Sequence, residues 1–183
     1  MWDKFGEFDS ADEINGKAKE LRDSDHPEEV MKLAKENGIM KEMAEIFIAA
    51  GTDMLCDCTE AAFGKLSVEI ENYDKRYIAN AKEVVQALES LMAQKKVRYE
   101  MHMYGIDISI DITGEQLAEQ IRKNGKNLNT ILKDVFTKAQ KIHSEGNPAS
   151  ALVIPMVIEQ YMKEGKQDGT IGIKRIGILG TPD

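Results

Sequence analysis

Asp107 and Asp111 stand four residues apart in a stretch of strict alternation, and together with His143 they are the raw material of metal-assisted phosphodiester hydrolysis. On one face of a strand that spacing separates the two carboxylates by about 13 Å. A shared divalent cation needs oxygens converging within about 2–3 Å of it. The pair therefore reads as solvated acids that discourage edge-to-edge association, not as a nuclease centre. Cys56 and Cys58 are the only cysteines. Two residues apart on a helix, they point about 200° from one another. No second cysteine pair exists, and His26, His102 and His143 are remote in sequence, so zinc is not expected. The thiols read as small, reduced core residues. No phosphate-binding Gly-x4-Gly-Lys-Ser/Thr loop, dinucleotide fingerprint, Gly-x-Ser-x-Gly elbow or His-Glu-x-x-His pair occurs. Catalysis, a metal and a cofactor are all unexpected.

The basic residues are more suggestive. Arg122, Lys123 and Lys126 surround an Asn124-Gly125 turn, and Lys133, Lys138 and Lys141 follow on the next helical segment. A helix, a short turn and a second basic helix would suit contact with a phosphate backbone, double-stranded DNA included. No aromatic interleaving supports stacking on single strands.

These residues need a scaffold, and the 183-residue chain of net charge −8 is long enough to build one without disulfide or metal support. Charge divides it. Residues 1–75 hold 19 acids and 9 bases, a net of −10, whereas 76–183 hold 13 acids and 15 bases, a net of +2. Such asymmetry suggests two surfaces with different partners. No apolar run approaches the roughly 18 residues of a membrane span, and no basic-then-apolar leader is visible, so a cytoplasmic protein of a bacterial host is expected.

Hydrophobic periodicity predicts a mainly α fold: a helical bundle with a long connecting helix and one small β-hairpin (α+β). Residues 1–64 form an acidic helical module. Ser10 and Glu13 make a capping box before Ile14, Ala18 and Leu21. Pro27 opens a second helix that buries Val30, Leu33 and Ala34 and ends at Asn37-Gly38. A third, over 40–50, buries Met43, Ile46, Phe47 and Ala50, and a fourth covers roughly 53–63. Residues 65–96 lack Gly and Pro, and their apolar spacing from Leu66 through Tyr73 and Tyr77 to Met92 predicts the connecting helix. Residues 97–164 hold the hairpin and a second helical module. Ile106, Ile108, Ile110 and Ile112 alternate with polar residues and pair with Val97–Met101 across Tyr104-Gly105. Thr113 and Asn127 each begin a helix, the second burying Leu128 to Ala139, and Pro148 opens a last one, kinked near Pro155. Residues 165–183 are a Gly/Ile-rich tail, either an added edge strand or an arm.

Two stretches carry a resemblance. Met1-Trp2-Asp3-Lys4-Phe5-Gly6-Glu7-Phe8-Asp9-Ser10, with Glu13-Ile14-Asn15 and Leu33-Ala34-Lys35-Glu36-Asn37-Gly38-Ile39, looks like a small acidic module carried by proteins of bacterial mobile elements. The stretch from Leu117-Ala118-Glu119-Gln120-Ile121-Arg122-Lys123-Asn124-Gly125-Lys126-Asn127-Leu128 to Tyr161-Met162 is similar in pattern to the PcfK-like group, and some proteins of this kind are type II-A anti-CRISPRs that inhibit Cas9. The resemblance leaves out the middle helix and hairpin, and the Gly/Ile tail departs from the PcfK-like pattern. It implies a non-enzymatic inhibitor that binds Cas9, or its guide RNA or DNA complex, and blocks target cleavage. A module of net −10 would be steered to the basic channels of such a partner. Glu28, Glu29, Glu42, Glu45, Asp53, Asp57 and Glu60 are the acids expected to face it. The alternative function is a DNA-binding accessory of a conjugative or phage element, acting through the basic set.

Overall fold

A computed structural model describes residues 8–163. Among them are α1 (Ala11–Asp23), α2 (Pro27–Glu36), α3 (Lys41–Ala50), α4 (Cys58–Ile70), α5 (Ile78–Met92), β1 (Val97–Met103), β2 (Ile106–Ile112), α6 (Gly114–Lys123), α7 (Leu128–Ser144) and α8 (Val153–Lys163). A 3-10 turn, Ser150–Leu152, precedes α8. The fold is the mainly helical α+β arrangement the periodicity predicts. The tail at 165–183 lies outside the described residues.

Local chemistry sets most of the boundaries. The Ser10 hydroxyl accepts from the Glu13 amide, and the Glu13 carboxylate takes the Asp9 amide at 2.7 Å. Pro27 occupies the first turn of α2, where its missing N–H costs nothing. Thr113 and Gln116 complete a capping box on α6, and the Asn127 side chain accepts from the Asn129 amide at the start of α7. In the hairpin Met103 pairs with Ile106 and Val97 with Ile112. Tyr104 and Gly105 form the two-residue turn, with φ of 53° and 75°, the left-handed geometry that matches strand twist.

Three expectations are corrected. The fourth helix begins at Cys58 rather than near residue 53, because Asp57 supplies its cap. The connecting helix over 65–96 is two helices. The Tyr73 amide turns back to the Ile70 carbonyl, and the Asp74 carboxylate takes both the Arg76 amide and its guanidinium, closing a local turn that competes with helix. The apolar spacing runs through the break because α4 and α5 both face the same core. The last helix starts at Val153, not Pro148, so Pro155 falls in its first turn, where no intrahelical acceptor is lost.

Buried side chains form two clusters. Ile14, Val30, Leu33, Phe47 and Leu55 lead the smaller one, among α1, α2, α3 and the loop before α4. The larger one gathers α4–α8 and the isoleucine face of the hairpin. They meet along α4, where Ala61 belongs to one and Ala62 to the other. Gly64 and Gly38 let the α4 backbone touch the α2–α3 turn: a Cβ on Gly64 would sit 2.3 Å from the Asn37 carbonyl oxygen.

Candidate binding surfaces

The six basic residues expected to form one nucleic-acid face are divided by the fold. Arg122 is 3 % exposed. Its guanidinium donates to the Phe8 carbonyl at 2.9 Å, the Ala61 carbonyl at 3.3 Å and the Asn37 side-chain oxygen, so it fastens the N-terminal segment, α4 and the α2–α3 turn to α6. Burial lowers its pKa to about 10, which leaves it charged at neutral pH. Arg122 therefore joins the two cores and is unavailable to a phosphate. Lys126 is half-buried with its ammonium 2.7 Å from Gln160 Oε1, Lys123 is half-buried, and Lys138 is paired with Asp134 at 3.0 Å. Lys133 and Lys141 on α7 are exposed with no ion pair among the described residues.

Lys65 is a second buried basic group that the sequence does not distinguish from a solvated lysine. Lys65 donates to Glu69 Oε1 at 3.2 Å and to the Lys126 carbonyl at 3.1 Å, and its ammonium lies 5.6 Å from the Tyr161 ring centroid. Desolvation pushes the Lys65 pKa down and the Glu69 pKa up, each opposed by the other's charge. Asn124 and Gln120, also buried, both donate to the Tyr161 carbonyl. The segment read as a basic surface is largely a polar joint.

The seven acids are likewise spread over several elements. Asp57 and Glu60 are spent on each other's backbone: Asp57 Oδ1 accepts the Glu60 amide at 2.7 Å and Glu60 Oε2 accepts the Asp57 amide at 2.8 Å. Glu28 and Glu29 sit in the first turn of α2, Glu28 with His26 3.7 Å away. Asp53 is exposed in the loop after α3. Glu42 and Glu45 share an outer stripe of α3 with Ile46 and Ala49, positions three and four apart. Ile46, expected in the core, is 54 % exposed, and Ala50 is also exposed. Met40 at the head of α3 and Met54 beyond its end are 66 % and 58 % exposed. Ile46 thus stands exposed between Glu42 and Glu45, and Glu45 is itself paired with Lys41 at 3.4 Å.

On the hairpin, Asp111 pairs with Arg98 across the strands at 3.1 Å, while Asp107 bonds His102 Nδ1. Glu100 bonds His102 Nε2 and accepts the Ser109 hydroxyl at 2.6 Å. Hydrogen bonds from Ser109 and His102 lower the Glu100 pKa, and those to Glu100 and Asp107 raise that of His102. Each aspartate has its own cross-strand partner, Arg98 or His102, and His143 stands on α7. Among the described residues no group of three or more His, Cys, Asp or Glu side chains is arranged to hold a metal ion. Cys56 is buried and Cys58 half-buried, both free. Burial, then the Glu60 charge, pushes the Cys56 thiol up to about 12, so it is not a nucleophile at neutral pH.

One large concavity remains. A cavity of about 860 Å³ opens between the α4–α5 turn, α7 and the 3-10 turn before α8. Its walls include Tyr73, Tyr77, Phe136 and Ala139, four residues that periodicity assigned to the core and the fold leaves half-buried or exposed. A run of predicted core positions that includes two tyrosines was the available signal, since a phenolic hydroxyl favours a site with one wet end.

No known protein family, curated protein or solved structure matches the chain. Among the described residues no helix is long and apolar enough to cross a membrane.

Proposed function

We propose that this chain is a non-enzymatic inhibitor that binds Cas9, or its complex with guide RNA or DNA, through the outer face of α3 and blocks target cleavage. The observation that carries the reading is the exposed stripe of Glu42, Glu45 and Ile46, with Met40 and Met54 beside it. Six large hydrophobics are markedly exposed among the described residues, and three of them border this one helix of the acidic half. An exposed apolar side chain flanked by acids suits a partner that is basic around an apolar contact. The choice of Cas9 rests on the resemblance of the two sequence stretches to mobile-element and PcfK-like proteins. Lys133 and Lys141 alone are a thin track for duplex DNA, which places the accessory reading second.

The test is plasmid cleavage by purified Cas9–guide complexes from several orthologues, with the full chain added at two salt concentrations. Dose-dependent loss of cleavage, with the chain retained on Cas9 in a pull-down, is expected. The double variant Glu45→Lys with Ile46→Ser should abolish inhibition while changing stability by under about 1 kcal/mol, since both positions are exposed. Unchanged cleavage by every orthologue overturns the reading. Duplex binding without Cas9, falling steeply with salt, would install the accessory reading in its place.

A further inference from the structure

We propose that the cavity between the α4–α5 turn and α7 binds a nucleobase carrying a phosphate. Its volume of about 860 Å³ lies within the roughly 300–1,000 Å³ range of small-molecule sites. The walls divide by chemistry. Tyr73, Tyr77 and Phe136 offer aromatic surface for a flat ring, and base–aromatic stacking does not require a particular base. Arg76 lies over the Tyr77 ring with its guanidinium carbon 5.4 Å from the centroid, and it is itself held by Asp74, so one face of the Tyr77 ring has a fixed neighbour.

Charge selects the ligand's other end. Asp74 also borders the cavity, but its carboxylate is committed to Arg76, which pulls its pKa down to about 2. Lys133 and His143, in contrast, line the cavity with no ion pair among the described residues. The uncompensated charge at the wall is therefore positive, and it asks for an anion on the ligand.

Asn129 also lines the cavity, and its side-chain N–H donates to the Glu69 carbonyl at 2.7 Å, which fixes the amide's orientation and holds this wall in place. A free nucleotide and an unstacked base of a single strand present the same chemistry. The inference is independent of whether the α3 face binds Cas9.

The test is calorimetric titration of the full chain with adenosine 5′-monophosphate. Adenosine and ribose 5-phosphate serve as half-ligands, and a short single-stranded oligonucleotide represents the strand. The monophosphate should bind at least tenfold more tightly than either half-ligand. Lys133→Ala should weaken the monophosphate about tenfold and leave adenosine unchanged, whereas Tyr77→Ala, at an exposed position, should weaken both. Competition by the oligonucleotide at lower concentration identifies a strand as the natural source, and its failure to compete identifies a free nucleotide. No heat from any probe at millimolar concentration overturns the assignment, as does binding that neither variant alters. Capture of an uncharged apolar dye that the monophosphate cannot displace also overturns it, marking the cleft as apolar only.

Discussion

The core beneath the acidic helices α1–α3 contains eleven buried apolar residues, four of them alanines, whereas the core of the hairpin half contains twenty-seven, with isoleucines from both β2 and the helices. Burial of an aliphatic side chain is worth about 1.5–3 kcal/mol, so the smaller core has a slender reserve of its own. It leans on its neighbour. Ala61 comes from α4, and Arg122, reaching over from α6, ties down three separate backbone stretches. The difference also shows at the surface. The small core leaves Met40, Ile46 and Met54 outside it, while the larger half exposes Tyr77 at its cleft and Met103 and Tyr104 at the tip of the hairpin. A segment that cannot stand alone can present its spare apolar residues to a partner, provided that another part of the chain holds it in place.

Breaking the joint should have the largest effect. Arg122→Met removes the donors that Arg122 supplies to the Asn37 side-chain oxygen and to the Phe8 and Ala61 carbonyls, leaving the buried Asn37 oxygen unmatched. An unmatched buried acceptor costs about 1–3 kcal/mol, and each of the two further hydrogen bonds lost adds about 0.5–1.5 kcal/mol. Urea denaturation should show that loss, and hydrogen exchange should show α1–α3 losing protection before the hairpin does. Arg122→Lys should recover little, because one ammonium cannot reach three acceptors in a fork. Equal loss of protection in both halves would mean that the small core is not the dependent one.

Gly64→Ala probes the same joint without touching charge. The new methyl would lie 2.3 Å from the Asn37 carbonyl oxygen, a backbone atom that cannot swing away. Overpacking of this kind costs about 1–3 kcal/mol, so a somewhat smaller shift in the urea midpoint is expected, again weighted toward α1–α3. Ala at Gly16 on α1, where nothing stands within 4 Å of the added methyl, is the control and should stabilise the helix slightly.

The helices of the acidic half were legible because each carries a boundary signal: Ser10 with Glu13 at the start of α1, Pro27 at the start of α2, and Gly51 in a left-handed cap at the end of α3. The hairpin was legible because period-two isoleucines admit only one register across a two-residue turn. The break between α4 and α5 was not. Asn72, Tyr73 and Asp74 contain no Gly or Pro, and the decisive element is a side-chain turn from Asp74 to Arg76. Arg122 and Lys65 were misread or missed for one physical reason: a lysine or arginine in sequence looks solvated, and only the fold shows carbonyls converging on it. The α3 face could not be read from periodicity at all, since Ile46 has the correct spacing for a core that is too small to cover it.

The smallest effect sharpens the comparison from the side of the large core, on the hairpin's polar face. There His102 is held between Glu100 and Asp107, and all three are exposed, so the contribution is modest and screened by salt. The two shifts have opposite signs. The folded His102 pKa is raised above its ordinary 6.5, so its contribution is complete below that pH and disappears as pH rises through the folded value. The folded Glu100 pKa is depressed below its ordinary 4.5, so its contribution is complete above that pH and disappears as pH falls through the folded value. The cluster is therefore fully engaged between about pH 4.5 and 6.5 and weakens on either side. NMR titration of the His102 ring should give a midpoint above 6.5, and His102→Gln should remove the alkaline part of the hairpin's pH dependence while leaving α1–α3 unaffected. A midpoint at or below 6.5 would mean that Glu100 and Asp107 do not hold the imidazolium, and the hairpin's polar face would then owe its order to the Arg98–Asp111 and Ser109–Glu100 contacts.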